Sequence, residues 1–178
     1  MIKTHFLKAY LLFFMLICIS VLATAQRKPK QTQEDKDTQS WRYELKTAEE
    51  IGMQGTYLLK VYTFSKSPNI ATEQSKKNAI HGVIFRGFQG DGRLPGQKPL
   101  CPDPNAEIAH ADYFKDFFAE GGKYMKFVRF TNDGAVPQTD VLKRGNEYQI
   151  GLTVAVDITG LRKELESAGI IKSLSSGF

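Results

Sequence analysis

The segment Glu147-Tyr-Gln-Ile-Gly-Leu-Thr-Val-Ala-Val-Asp157 decides the fold class of this chain. Every second residue in it carries a large apolar or aromatic side chain: Tyr148, Ile150, Leu152, Val154 and Val156. A period of two is the repeat of a β-strand, whose successive side chains point to opposite faces of a sheet. The large side chains of one face must be buried, and we therefore expect a sheet that helices cover on that side.

Three other segments have strand character. Residues 41–46 alternate aromatic or apolar side chains with charged ones, and residues 56–66 are rich in aromatic and β-branched residues, which favour strands. These two segments are predicted to form a hairpin through a loop at 48–54, and residues 124–131 are predicted to supply a third strand. Turn residues lie between the later strands: Asn132-Asp133-Gly134 and Lys143-Arg144-Gly145-Asn146.

Three helices are predicted between and after these strands. Ser67-Pro68 places a capping hydroxyl before a proline at the first helical position, so a helix is expected over 68–85. Residues 106–120 have apolar side chains at helical spacing and precede two glycines, and a last helix is expected over 159–168. One face of the first helix is made of small residues, which let its backbone approach the sheet closely: Ala71, Ser75, Asn78, Ala79 and Gly82.

The predicted elements follow one another in the order ββααββα. Strands in adjacent pairs, with helices between and after them, favour an α+β fold with a mainly antiparallel four-stranded sheet covered by three helices. The chain has 178 residues, 42% of them hydrophobic, which fits a single globular domain. We place that domain at 40–178.

Residues 1–25 have the three parts of a secretory signal peptide. A positively charged start precedes an apolar run at 10–22, and the small residues at 23 and 25 predict cleavage before Gln26. A retained membrane anchor is the alternative, since the apolar run is short for a membrane span but not far below the required length. The polar segment 26–39 is predicted to be a flexible tether. We therefore expect a periplasmic or secreted protein.

The charge and the cysteines limit the classes of partner. The formal net charge of the whole chain is +5, and the predicted cleavage leaves a mildly basic domain. Neither that modest charge nor an exported location suggests a nucleic-acid partner. Cleavage would also remove Cys18 and leave Cys101 as the single cysteine, so no internal disulfide is expected. Cys101 is then either buried or available to a partner.

Residues 86–105 are rich in glycine and proline and are predicted to form a long loop without regular structure. Loops of this length in compact domains are often functional. Our candidate partner-contact residues lie in this loop and in the helix after it: Phe88, Arg93, Cys101, Tyr113 and Phe118. Phe88 has two interpretations, since an apolar ring on a loop either packs back onto the domain or anchors a partner.

The sequence contains no motif that names a reaction. His81, His110 and Cys101 lack the close pairing of zinc ligands, so no metal and no cofactor are expected, and both histidines are expected on helix surfaces. The glycines after the first helix do not form a phosphate-binding loop, because such a loop precedes a helix. The nucleophile motif of serine hydrolases is also absent from the sequence.

Three segments resemble uncharacterised exported proteins of Bacteroidetes: Ala23-Thr-Ala-Gln26, Ala71-Thr-Glu-Gln-Ser-Lys-Lys-Asn-Ala-Ile-His-Gly-Val-Ile-Phe85 and Ala168-Gly-Ile-Ile-Lys-Ser-Leu-Ser-Ser-Gly-Phe178. This resemblance covers the whole predicted mature chain and implies no known activity. More distantly, a strand followed by an alanine-spaced helix is similar to small periplasmic domains of envelope-assembly accessories. These include the TolB amino-terminal domain and the lipoprotein activators of penicillin-binding proteins. That similarity concerns the fold alone, and no functional residue carries over.

These observations favour a non-enzymatic periplasmic binding or envelope-assembly module. Its expected partner is another envelope protein or an envelope polymer. Two alternatives stay open at this point. One is an envelope enzyme that uses Cys101 or a histidine, and the other is a small-ligand carrier with a pocket between the sheet and the helix at 106–120.

Overall fold

The structure, a computed structural model, describes residues 41–48, 55–90, 92 and 94–173. The predicted signal peptide at 1–25, the tether at 26–39 and the candidate contact residue Arg93 lie outside the described residues. In the described part of the chain, no helix combines the length and the apolar character needed to cross a bilayer.

The strands form one antiparallel sheet. They are β1 (Tyr43–Thr47), β2 (Thr56–Ser65), β3 (Val128–Phe130), β4 (Val141–Arg144) and β5 (Glu147–Asp157). β5 is central, because β2 pairs along one side of it while β4 and β3 share the other side. β1 pairs antiparallel with β2, as predicted, and forms one edge of the sheet.

Within the described ranges, four α-helices accompany the sheet: α1 (Pro68–Phe85), α2 (Ala106–Ala109), α3 (Ala111–Phe117) and α4 (Ile158–Ser167). α1 begins at Pro68, directly after Ser67, as the sequence predicts, but the Ser67 hydroxyl makes no capping hydrogen bond. α4 is capped by Asp157, whose carboxylate accepts a hydrogen bond of 2.8 Å from the Gly160 amide. Two short 3₁₀ turns lie before β3 and β4, at Lys123–Phe127 and Gln138–Asp140.

The face of α1 that contacts the sheet is made of the predicted small residues. A Cβ atom on Gly82 would collide with the Leu45 side chain of β1, so glycine permits the close approach. Two polar side chains on the same helix face share one partner in β2. Ser75 Oγ lies 3.0 Å from Thr63 Oγ1, and Asn78 Nδ2 donates a hydrogen bond of 3.0 Å to that same oxygen. These satisfied buried groups specify how α1 lies on the sheet.

The core lies between the sheet and the helices. The register of β2 and β5 sets Leu59 opposite Val154 and Val61 opposite Leu152, and all four side chains are fully buried. The predicted apolar face of β5 is therefore confirmed, and it is the face that the helices cover.

The predicted α+β class and antiparallel sheet are confirmed, but the predicted number of strands is wrong. Over the described residues the sheet has five strands, because β4, whose last two residues were expected in a turn, pairs with β5. The turn itself is confined to Gly145 and Asn146.

The predicted helix at 106–120 is also wrong in its extent. It is divided into α2 and α3, because the backbone of His110 (φ −116°, ψ 35°) leaves the helical region. The strand predicted at 124–131 is confined to β3, since the residues before it form a 3₁₀ turn that places Tyr124 in the core. The order of elements is therefore β1 β2 α1 α2 α3 β3 β4 β5 α4 rather than ββααββα.

Candidate binding face

The helices cover the face of the sheet that carries the core, and the opposite face carries charged, aromatic and polar side chains. We call this opposite face the open face. Its main residues come from β1, β2, β4 and β5 and from the residue before β1: Arg42, Glu44, Lys46, Lys60, Tyr62, Phe64, Leu142, Arg144, Gln149, Gly151 and Thr153. The alternation of β2 produces this face, because its buried residues point to the helices and its half-buried residues point away.

Tyr62 lies at the centre of the open face. It pairs with Gly151 of β5, where an added Cβ atom would come within 3.0 Å of Tyr62 Cε1. The phenol ring therefore extends over space that only glycine leaves open. The Lys46 ammonium lies 5.4 Å from the centroid of the same ring, which is a cation–π distance.

Phe64 is the second aromatic residue of the open face. The guanidinium carbon of Arg42 lies 5.9 Å from the centroid of its ring. Arg42 also donates two hydrogen bonds to the Glu147 carboxylate, of 2.7 and 2.8 Å. This bidentate contact lowers the pKa of the Glu147 carboxyl and holds the guanidinium beside Phe64.

Further charged groups lie across the middle of the open face. Lys60 forms an ion pair with Asp140 from the second 3₁₀ turn, and both side chains are largely buried. Arg144 Nε donates a hydrogen bond of 3.3 Å to the side-chain oxygen of Gln149. The open face therefore carries cations along β1, β2 and β4, and two of them, Arg42 and Lys60, are paired with carboxylates.

Two grooves cross the open face. The larger has a volume of about 900 Å³ and is lined by Lys46, Lys60 and Tyr62. The other, of about 630 Å³, is lined by Lys46, Tyr62, Phe64 and Arg144. Because both grooves are bordered by Lys46 and Tyr62, they meet at the centre of the face.

The structure places the four described contact residues, Phe88, Cys101, Tyr113 and Phe118, away from the open face. Phe88, Cys101 and Phe118 are buried, with exposed fractions of 7%, 3% and 8%. Phe88 packs edge-on against Tyr57 with 5.5 Å between the ring centroids, so its ring is packed back onto the domain. Tyr113 is half-buried. Partner contact through these residues stays a prediction.

Cys101 lies in the loop between α1 and α2. Its amide donates a hydrogen bond of 2.9 Å to the Ile84 carbonyl, which holds the loop against α1. Burial raises the pKa of the Cys101 thiol above its ordinary value. The thiol is therefore protonated at neutral pH, whereas the thiolate is the form that attacks substrates and binds metals.

In a Cys18→Ser variant, which leaves Cys101 as the single thiol, we expect Cys101 of the folded protein to react with dithionitrobenzoate at least roughly a hundredfold more slowly than in the urea-unfolded protein. Both the burial and the raised pKa act in this direction. The absorbance of the released thiolate measures the rate. Equal rates in the folded and unfolded protein would show that the thiol is accessible.

A buried polar network joins β1, α1 and α2. His81 Nδ1 lies 2.6 Å from Tyr43 Oη, and His81 Nε2 lies 3.4 Å from a carboxylate oxygen of Glu107. Trp41 stacks on the imidazole with 3.8 Å between centroids, and its Nε1 donates a hydrogen bond of 3.0 Å to Glu107. The guanidinium of Arg86 lies over the Tyr43 ring at 4.4 Å.

The expectation that His81 lies on a helix surface is wrong, because the residue is only 3% exposed. Burial, assisted by the positive charge of Arg86, lowers the pKa of His81 to about 3. Burial also raises the pKa of the Tyr43 hydroxyl, so both groups are uncharged at neutral pH. A neutral imidazole accepts from Tyr43 and donates to Glu107, which engages both ring nitrogens. The network therefore fixes β1 onto α1.

The remaining alternatives raised by the sequence concern metal ligands and an internal pocket. Among the residues that the structure describes, no group of three or more His, Cys, Asp or Glu side chains is arranged to hold a metal ion. His110 lies at the junction of α2 and α3. Phe114 and Phe117, which border the predicted carrier pocket, are both buried in the core.

The sequence reasoning missed the residues of the open face. Residues 56–66 carry large side chains at both odd and even positions, so alternation alone does not show which set faces the helices. The register supplies the missing signal. Once β5 has an assigned apolar face, antiparallel pairing sets Tyr62 opposite Gly151, on the polar side of the sheet.

The open face and the buried network are both described from contacts within this chain. The resemblance to exported Bacteroidetes proteins and to envelope accessories stays a prediction. No protein-family model, curated protein or solved structure matches the chain.

Proposed function

We propose that this protein is a non-enzymatic binding module of the cell envelope that holds an extended anionic polymer on its open face. The observation that carries the proposal is the pairing of aromatic rings with cations on one sheet face, Tyr62 with Lys46 and Phe64 with Arg42. Aromatic rings offer apolar contact area to the flat side of a sugar or similar unit, and the cations attract its anionic groups.

The shape of the open face supports a polymer over a small molecule. The grooves of about 900 and 630 Å³ meet at Tyr62, so together they form a continuous surface across the strands. Small-ligand sites are usually concave pockets that enclose most of the ligand. A long chain instead makes many modest contacts along an open surface.

The sequence at 1–25 supports the proposed location. A signal peptide that is cleaved before Gln26 would deliver the domain to the periplasm or the exterior. Anionic polymers of the envelope are accessible there. The mildly basic domain would be attracted to them, and this attraction would weaken as salt is added.

The positions of the reactive side chains support binding rather than catalysis. Both nitrogens of His81 are engaged within the protein, and its ring is neutral at pH 7. Cys101 is buried with a raised thiol pKa. The open face carries neither of these groups.

We expect Tyr62→Ala to raise the Kd for polygalacturonate, a linear anionic polysaccharide, by roughly tenfold, because one aromatic contact contributes about 1 kcal/mol or more. Fluorescence anisotropy of labelled polygalacturonate, titrated with the full chain, measures the Kd. Tyr62 lies on the sheet surface opposite the core, so the variant is expected to fold.

Met125→Ala is the matched control for Tyr62→Ala. It removes a side chain that is 45% exposed in the first 3₁₀ turn, on the helix side of the sheet, and it should leave the Kd unchanged. Neutral dextran should bind at least roughly tenfold more weakly than polygalacturonate, since it lacks the charged groups. The proposal fails if the wild type does not bind polygalacturonate, or if Tyr62→Ala binds it as well as the wild type does.

A further inference from the structure

β1 is an edge strand, and two hydrogen bonds to β2 determine which of its backbone groups point to the edge. The Ala48 amide donates to the Leu58 carbonyl over 2.9 Å, and the Phe64 amide donates to the Arg42 carbonyl over 3.4 Å. Residues of an antiparallel pair alternate between hydrogen-bonded and non-bonded positions. The even-numbered residues of β1 therefore bond to β2.

The odd-numbered residues of β1 direct their amide and carbonyl groups away from β2. These residues are Tyr43, Leu45 and Thr47. An edge of this kind is a template for a further strand, and proteins usually protect such edges from pairing with other chains. The buried network around His81 holds this edge in its strand conformation.

The charges on β1 are self-complementary. Consider a second copy that runs antiparallel, with its Leu45 opposite Leu45. This register sets each Glu44 opposite Lys46 of the second copy, and both side chains are exposed. Opposite charges that face each other across an antiparallel pair stabilise it, whereas like charges destabilise it. An edge strand whose charges all had one sign would repel the same strand of a second copy. The opposite charges of Glu44 and Lys46 instead favour pairing of β1 with β1 of a second copy.

Among the residues that the structure describes, a groove borders β1 on each face of the sheet. Leu45 borders the groove of about 900 Å³ and also a groove of about 390 Å³ that is lined by Tyr43, Phe88 and Pro99. A strand added to β1 directs alternate side chains to the two faces of the sheet. In a second copy the exposed side chains of β1 are Glu44 and Lys46, and they lie on the side of the groove of about 900 Å³.

We propose that two copies of this chain associate through β1, antiparallel and centred on Leu45, so that one sheet continues through both copies. The open faces of the two copies then form one longer surface, with Lys46 and Tyr62 of each copy near the junction. This association does not depend on polymer binding, so either proposal can fail without the other.

Two single charge reversals test the association. Glu44→Lys leaves two cations on the edge and Lys46→Glu leaves two anions, so each variant sets like charges opposite each other when it pairs with itself. A mixture of the two variants sets opposite charges together at both positions. Sedimentation equilibrium of the full chain should show a wild-type dimer, a Kd at least roughly tenfold higher for each variant alone, and a return to the wild-type Kd in the equimolar mixture.

Lys126→Glu is the matched control, because it reverses an exposed cation in the first 3₁₀ turn and should keep the wild-type Kd. Circular dichroism melting verifies that every variant is folded. A monomeric wild type would overturn the proposal. The partner of the β1 edge would then be an extended segment of another protein. Single variants that dimerise as tightly as the wild type, or a mixture that dimerises no more tightly than each variant alone, would also overturn it.

Discussion

Lowering the pH from 7 to 5 is expected to reduce the free energy of unfolding by about 2 kcal/mol through His81 alone. Burial and the nearby Arg86 hold the pKa of His81 at about 3 in the folded protein, against 6.5 for an ordinary histidine. The unfolded chain therefore binds a proton as the pH falls below 6.5, and the folded protein does not until about pH 3. The stability that neutral His81 contributes is complete above pH 6.5 and is lost as the pH falls below that value.

Glu107 acts in the opposite direction on the same ring. Its carboxylate oxygen lies 3.4 Å from His81 Nε2, which favours the protonated imidazole. The Glu107 side chain is 38% exposed, however, whereas the His81 side chain is 4% exposed. Water screens the attraction, and the burial of the imidazole outweighs it.

Urea denaturation of the wild type and His81→Phe at pH 7, 6 and 5 checks this expectation. Phenylalanine keeps a ring beside Trp41 but removes the titrating group and its hydrogen bonds to Tyr43 and Glu107. The variant should be less stable than the wild type at pH 7, yet lose little more stability by pH 5. The carboxyls with lowered pKa, Glu147 and Glu164, titrate below this range in both proteins. An equal loss in both proteins would assign the pH dependence to another group.

The elements that could be predicted from the sequence are those in which one buried face requires a certain type of side chain at regular spacing over many residues. β5 has one large side chain at every second position, because the helices pack against its core face. α1 was predictable at its start from Ser67-Pro68 and along its length from the small residues that contact the sheet. In both cases one partner surface constrains the whole segment.

β4 was not predictable for the opposite reason. Val141–Arg144 ends in two exposed cations, and it joins the sheet through its pairing with β5. Backbone hydrogen bonds do not depend on side-chain identity, so an exposed strand of this kind leaves little periodicity in the sequence. The polar residues at its end therefore resembled a turn.

The candidate sites depend on contacts between distant segments. His81 contacts Tyr43, which is 38 residues away in sequence, and Glu107, which is 26 residues away. A histidine at a helix position has the same local sequence whether it faces water or a buried tyrosine. The open face has the same difficulty, since Tyr62 becomes a surface residue only when β5 is paired with β2 in the observed register.

Gly87→Ala is expected to reduce the free energy of unfolding by about 3 kcal/mol. Gly87 ends α1 with a φ of 67°, a left-handed conformation that costs about 1 kcal/mol or more for any residue with a Cβ atom. The added Cβ atom would also overlap the Gln97 carbonyl oxygen and lie 2.9 Å from the Pro99 nitrogen. These backbone atoms are held in place, because Phe88 and Gln97 exchange two backbone hydrogen bonds of 2.9 Å each. Relief of the overlap therefore requires that this bridge open.

Gly92→Ala, in the same loop, measures the cost of the left-handed backbone conformation without the steric overlap that Gly87→Ala adds. Gly92 has a φ of 89°, but none of the described atoms lies within 4 Å of an added Cβ, so the expected loss is about 1 kcal/mol. Opening of the bridge at Phe88 should also loosen the segment that buries Cys101. The reaction of Cys101 with dithionitrobenzoate should then accelerate in Gly87→Ala and keep its wild-type rate in Gly92→Ala. If urea denaturation gives both variants the same loss, and Cys101 reacts equally in both, the loop does not depend on the close approach at Gly87.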